Sequence, residues 1–248
     1  MHIPRFYIPD EIIPTQVLQL HSDAGLHISR VLRMKCDQQV TLFNGKGGQY
    51  LATIVNIERH RVTVRIDLFV TKNTESPLKL TLIQCISRGD RMDYTIQKSV
   101  ELGVNQILPV YSQRGIVLDS KRALKKLKHW QKVVISACEQ SGRDNIPVVL
   151  QPIKIAEALK MTFDKSDLKL IMHTSDDATT PYTLSSVDQN IRHCVLLAGP
   201  EGGLSHQEVS LALQQKFQVI QLGPRVLRTE TAALSLISIL QSRAGDMC

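Results

Sequence analysis

Aromatic side chains are scarce in this chain: five Phe, five Tyr and one Trp, 4% of 248 residues. So few rings argue against a binder that stacks successive RNA bases on aromatic platforms. Cysteine is scarce too. Cys36, Cys85, Cys138, Cys194 and Cys248 are scattered, odd in number, and never spaced C-x-x-C. That pattern argues against a disulfide framework or a zinc site, and for reduced thiols in a cytoplasmic protein. Cys85 and Cys194 stand in apolar stretches, where a thiol packs as a small hydrophobe. No apolar run approaches the roughly 20 residues that cross a bilayer. The opening MHIPRFYIPDEIIP has no apolar core of a signal peptide. Also missing is G-x-G-x-x-G, the dinucleotide fingerprint, which argues against an NAD enzyme and against a Rossmann-type methyltransferase.

What is present supports a sizeable core: 43% of residues are hydrophobic and 21% charged, enough for one large domain or two modest ones. A net charge of +7 and a pI near 9.2 favour a polyanionic partner.

The chain has two rhythms. Its first part reads as β: RFYI, QVTLFNG, QYLATIVNIER and RVTVRIDLFV, with alternation clearest in the last. GLHISRVLRM predicts one short helix with Leu26, Val31 and Leu32 on its apolar side. NGKGGQ, with Lys46, lies between strands and reads as a hairpin turn; a phosphate loop needs G-x-x-x-x-G-K-[ST] before a helix. These elements suggest a small β-barrel. Polar TKNTESP, ending in Pro77, reads as a linker, and the expected domains are 1–72 and 73–248. After Pro77 strand and helix alternate. The strands are LKLTLIQCIS, QILPVYS, IPVVLQPI, LKLIMHT, HCVLLAG and FQVIQLG. The helices are DRMDYTIQKSVELG, Lys121 to Gly142, IAEALKMTF and the apolar TAALSLISILQS, whose Ser235, Ser238 and Gln241 form one narrow polar stripe. Such alternation predicts a mainly parallel sheet covered on both faces, and a helix so apolar is buried centrally or in a subunit interface.

LLAGPEGGLSHQE is the most unusual stretch. Ser205 and Glu208 form a capping box, so Gly199, Pro200, Glu201, Gly202 and Gly203 make a bare strand-to-helix loop. In parallel sheets such loops carry ligands; alone, the glycines equally fit a tight turn. Two more polar or glycine-bearing loops follow strands nearby: HTSDD, from His173 and Thr174 onward, and LGPRVLRTETA, Leu222 to Ala232.

GPEGG followed by LGPRVLRTETA resembles the RsmE-type 16S rRNA uridine methyltransferases of the SPOUT superfamily. MHIPRFYI, GDRMDYTIQKSVELGV, SQRG and ACEQSGR are similar to that family's other motifs, so the likeness covers essentially the whole chain. It implies an α/β protein: a PUA-like, RNA-binding β-barrel, then a SPOUT domain with a parallel sheet and a trefoil knot. It further implies an obligate homodimer, S-adenosylmethionine as methyl donor, no metal, and 16S ribosomal RNA or the small subunit as substrate. The rival readings are a non-catalytic RNA-binding protein and a SPOUT enzyme that methylates a ribose 2′-oxygen.

On this resemblance the glycines leave backbone groups open to an adenine edge. The expected cofactor residues are His173, Thr174, Leu197, Gly199, Pro200, Glu201, Gly202, Gly203, Leu222, Gly223, Val226, Leu227, Arg228 and Thr229. Leu197, Leu222, Val226 and Leu227 supply apolar walls, and Thr229 also reads as an N-cap. Arg228 stands at the wrong end of a helix for a cation. It is therefore expected to handle an anion, either a phosphate or the negative charge developing on the base in catalysis, with Glu230 or a water it orients as proton acceptor. Lys121, Lys125, Lys128 and Lys132 share one helical face, opposite Ala123, Leu127, Trp130, Val134 and Cys138. That face is either a solvated surface or a track for phosphates. Arg5, Arg91, Lys98, Arg114, Gln140 and Arg143, from the family-like motifs, complete the expected RNA contacts; some of them are equally suited to salt links between subunits.

Overall fold

The computed structural model describes residues 3–59, 61–161, 168–173, 183 and 187–247. The chain divides into two compact units, Met1–Glu75 with Cys138–Ile146, and Ser76–Ala137 with Pro147–Cys248.

The first unit is a five-stranded sheet. Its elements are β1 (Arg5–Tyr7), β2 (Val17–Gln19), the short helix α1 (Ser22–Leu26), β3 (Gln39–Phe43), β4 (Gln49–Glu58) and β5 (Arg61–Val70), in strand order β1-β3-β4-β5-β2. β1 runs parallel to β3, and the other pairs are antiparallel. The alternation of RVTVRIDLFV is realised as Val62, Val64 and Ile66 pointing into the core. NGKGGQ is the β3–β4 hairpin turn; Gly45, Gly47 and Gly48 all take positive φ there. The expected helix face needs correction. α1 runs into a π-helical turn, His27–Val31, closed by the Leu32 amide on the His27 carbonyl at 2.9 Å. This wider turn breaks the 3.6-residue period. Ile28 is the buried residue, while Val31 and Leu32 are 69% and 40% exposed.

Residues 138–146 are tied into this unit by charge. The Arg5 guanidinium donates to Asp144 at 2.6 Å, to the Arg143 carbonyl and to Gln49, and lies over the Phe43 ring. Arg143 donates to Glu75 at 2.9 Å. Glu139 accepts from the Tyr7 amide at 3.0 Å, and burial pushes its carboxyl above the usual range.

The second unit holds β6 (Lys79–Cys85), α2 (Arg91–Glu101), β7 (Gln106–Tyr111), α3 (Ser120–Ser141, which ends in the first unit), β8 (Val148–Val149), β9 (Ile153–Lys154), α4 (Ile155–Leu159), β10 (Leu168–Met172), β11 (His193–Ala198), α5 (His206–Gln214), β12 (Gln218–Ile220) and α6 (Thr229–Ala244). The sheet runs β12-β10-β11-β6-β7-β8, with β9 also on β7, and every pair is parallel. β6 and β11 are buried on both faces, which accounts for their unbroken apolar sequences. IPVVLQPI, expected as one strand, is two short pieces. Pro152 has no amide for the ladder and restricts the residue before it.

α6 is packed against α2 and β11, with Ala233, Leu236, Ile237 and Leu240 fully covered. Of its polar stripe, Ser235 and Ser238 are half-buried and Gln241 is withdrawn from solvent. Gln241 is completely buried: it accepts from the Ser76 hydroxyl at 2.7 Å and donates to the Leu102 carbonyl at 2.9 Å, satisfying an end of α2. On α3 the four lysines are exposed, and Trp130 and Val134 face inward as the spacing predicts.

Candidate active site at the carboxyl ends of three strands

β10, β11 and β12 lie side by side, so the loops after all three open on one end of the sheet. A cavity of ≈ 530 Å³ sits there, walled by Met172 and His173 at the end of β10, residues 198–204 at the end of β11, and Ile220, Gln221, Leu222 and Arg225 to Thr229 at the end of β12. Arg91 from α2 and Ala232 from α6 close it. This is the size and position of a small-molecule site in a parallel α/β domain.

The glycine loop is bare for steric reasons. A Cβ on Gly199 would stand 3.1 Å from Leu204 Cγ, and one on Gly202 3.3 Å from Arg114 Cβ. Gly203 has φ +70°, which disfavours any side chain. At its far end the capping box forms as expected: Ser205 Oγ accepts from the Glu208 amide and Glu208 Oε2 from the Ser205 amide.

Neighbouring loops brace this one. Glu201 Oε1 accepts from the Arg88 amide and from Arg91 Nη1, each at 3.0 Å. Burial would raise its carboxyl, but those bonds outweigh it and hold Glu201 below the usual carboxylate range. Arg114 donates to the Gly202 carbonyl at 3.2 Å, and the Gln113 amide donates to Glu208 Oε1 at 2.7 Å. Thus the SQRG and GDRMDY stretches support the site as well as any partner. Thr229 is not an N-cap. Arg228 holds that position with extended backbone, and the Thr229 hydroxyl donates to the Gly199 carbonyl at 2.6 Å.

Of the expected cofactor residues, His173, Gly199, Pro200, Glu201, Gly202, Gly203, Leu222, Val226, Leu227, Arg228 and Thr229 line the cavity. Leu197 does not: it packs in the core cluster with α4 and α5, and its neighbour Ala198 faces the cavity instead. That is the strand alternation, misassigned by one residue. Gly223 is off the lining as well; its carbonyl takes the Gln221 amide group at 3.2 Å. Val226 is 84% exposed and forms a rim, not a wall. Thr174 lies outside the described residues. Glu230 is one residue beyond the lining, with a shielded Oε2 that has no hydrogen-bond partner among the described residues. Met172, Leu204, Ile220, Gln221 and Arg225 line the cavity without having been singled out. Arg225 was within LGPRVLRTETA and was readable as a second cation beside Arg228. Neither arginine makes an ion pair among the described residues.

Other expected RNA contacts are already engaged. Lys98 pairs with Glu101 at 2.8 Å and Arg91 with Glu201. Arg5 and Arg143 are buried within the first unit, their side chains 7% and 5% exposed, because each faces a carboxylate there. Gln140 is exposed. Among the described residues no group of His, Cys, Asp and Glu is placed to hold a metal ion, and no helix is long and apolar enough to cross a membrane.

Residues 74–241 match the RNA methyltransferase domain and residues 22–67 the RNA methyltransferase PUA domain. The ribosomal RNA small subunit methyltransferase E of Buchnera aphidicola from Schizaphis graminum is 38% identical over 246 residues, covering 99% of this chain and 98% of that protein. The methyltransferase of the same name from Neisseria gonorrhoeae, solved bound to S-adenosyl methionine, is 44% identical over the full length of both chains, with a TM-score of 0.91. A methyltransferase of Legionella pneumophila, solved with bound SAM, is 39% identical, covers 99% and 100% of the two chains, and has a TM-score of 0.93. Sequence and fold agree over the whole length, and the chain belongs to the ribosomal RNA small subunit methyltransferase E family of RNA methyltransferases.

Proposed function

We propose that this protein methylates N3 of one uridine in 16S ribosomal RNA, with S-adenosylmethionine as donor. The observation that carries this reading is the glycine-lined cavity at the ends of β10, β11 and β12, together with the SAM-bound relatives of the same fold. The residues present fit the cofactor. The cavity volume suits a ligand of that size. Gly199, Gly202 and Gly203 bring backbone groups to its wall, and Leu222, Leu227 and Ile220 supply apolar surface. The cofactor contributes an electrophilic methyl group on a sulfonium sulfur.

What the chain must supply is a deprotonated base. Uridine N3 holds its proton at neutral pH, so the developing anion has to be stabilised. The Arg228 guanidinium, at the cavity wall and without a carboxylate partner among the described residues, stabilises charge on the flanking carbonyl oxygens. Glu230 takes the N3 proton through a water, since it stands just behind the lining. Arg225, which likewise makes no ion pair among the described residues, meets an RNA phosphate. The α3 lysines extend that contact, while buried Arg5 and Arg143 leave the RNA-facing set. The functional form is a cytoplasmic homodimer, with the half-buried Leu234 and Ile239 of α6 covered by the second copy. A monomer mass by light scattering of dilute protein contradicts that assembly. Transfer of labelled methyl into 16S RNA or small subunits tests the activity; no incorporation by folded, cofactor-bound protein refutes it.

A further inference from the structure

β6 reads LTLIQC, and all of it from Leu80 to Cys85 is buried. Gln84, with 0% exposure, is the one amide in that stretch. Its Oε1 has no hydrogen-bond partner among the described residues. A buried acceptor left without a partner is destabilising, and leucine there would avoid it. The compensating contacts are on Nε2, which donates to the Cys85 carbonyl and to Thr229 Oγ1, both at 3.1 Å. The Thr229 hydroxyl in turn donates its only proton to the Gly199 carbonyl at 2.6 Å. Gln84 stands opposite Ala198 in the β6–β11 register, directly before that glycine.

The bond from Thr229 to Gly199 joins the first residue of α6 to the loop after β11, and the bond from Gln84 ties that pair to β6. Gly199 and Thr229 line the cavity, and Gln84 does not. The Gly199–Pro200 peptide has no N–H, so the carbonyl that Thr229 holds is the one group through which a hydrogen bond can anchor it. We propose that Gln84 is a positioning residue for the cofactor site. Through the Thr229 hydroxyl it sets the Gly199 carbonyl and locks the two walls of the cavity in one arrangement. This rests on the cofactor reading above. It also reassigns Thr229: its hydroxyl proton is committed inside the protein, so Thr229 shapes the site and does not donate to the cofactor.

The test compares Thr229→Val, Thr229→Ser and Gln84→Met with the parent protein. Calorimetry with S-adenosylhomocysteine, methyl-transfer kinetics and amide hydrogen exchange of residues 199–204 and 228–232 are the readouts. Thr229→Val and Gln84→Met weaken S-adenosylhomocysteine about tenfold and raise KM for the cofactor more than they lower kcat. Both also speed exchange in the two loops. Thr229→Ser, which keeps the hydroxyl, stays within about twofold of the parent. Native affinity and native loop exchange in folded Thr229→Val and Gln84→Met overturn the proposal, even if their thermal midpoints fall. Should the parent bind no S-adenosylhomocysteine, the cofactor reading fails separately, and loop exchange still decides the role of Gln84.

Discussion

Arg91 donates through Nη1 to Glu201 Oε1 at 3.0 Å, so a cation expected to meet RNA is bound to the acid of the glycine loop. The Arg88 amide reaches the same oxygen. Two donors on one carboxylate make it a poor proton acceptor and a good anchor. Glu201 therefore fixes the loop.

A carboxyl held below its usual value stabilises the fold at pH above its unfolded pKa, and that contribution is lost as pH falls through the folded value. Glu201 is such a group. Glu201→Gln is expected to lower the urea midpoint at pH 7. The gap to the parent should close as the pH drops through and below the usual carboxylate range. Denaturation curves across that range check this; a gap of constant size contradicts the anchoring role.

Gly199→Val places a branched side chain where even a Cβ stands 3.1 Å from Leu204 Cγ, beside the cavity. Calorimetry should show S-adenosylhomocysteine binding lost. Gly203→Ala meets no atom within 4 Å but must hold φ +70°. It should cost about 1–2 kcal/mol of stability with a smaller effect on binding. Equal effects on binding from both would mean that the loop's strain, not its bareness, matters.

Gln241, itself fully buried, accepts from the Ser76 hydroxyl and donates to the Leu102 carbonyl. Gln241→Leu should destabilise the protein by about 1–3 kcal/mol in urea, since the Leu102 carbonyl is left unmet. Gly103→Ala should be at least as harmful: its Cβ would lie 2.4 Å from Gln241 Nε2 at φ +88°. A neutral Gln241→Leu would show that water replaces the lost bonds.

Lys121, Lys125, Lys128 and Lys132 are exposed on one face of α3. If all four meet phosphates, replacing them together flattens the slope of log affinity against log salt by about 3. Cofactor affinity should not change. Filter binding across a salt series checks it, and an unchanged slope makes this face an ordinary solvated surface.

Much of the fold is legible in residue order because its signals are local. The alternation of β5, the capping box at Ser205 and the lysine face of α3 each depend on spacing alone. What escaped notice depends on contacts between distant segments. Nothing near Arg91 in the sequence announces Glu201, and nothing near Gln241 announces the Leu102 carbonyl. The same holds for Arg5 and Arg143, basic residues in exposed-looking motifs whose carboxylate partners lie at Asp144 and Glu75. The site was legible as loops but not as facing atoms. One residue of strand register decides that Ala198, not Leu197, borders the cavity.

The most direct test is nucleoside mass analysis of 16S RNA methylated by this protein, alongside its Arg228→Ala variant. The account predicts N3-methyluridine as the product. Arg228→Ala should lower kcat by at least about tenfold while leaving S-adenosylhomocysteine affinity near the parent's, since the charge it meets develops in the transition state. A methyl group on the ribose or on carbon 5 of the base contradicts the account.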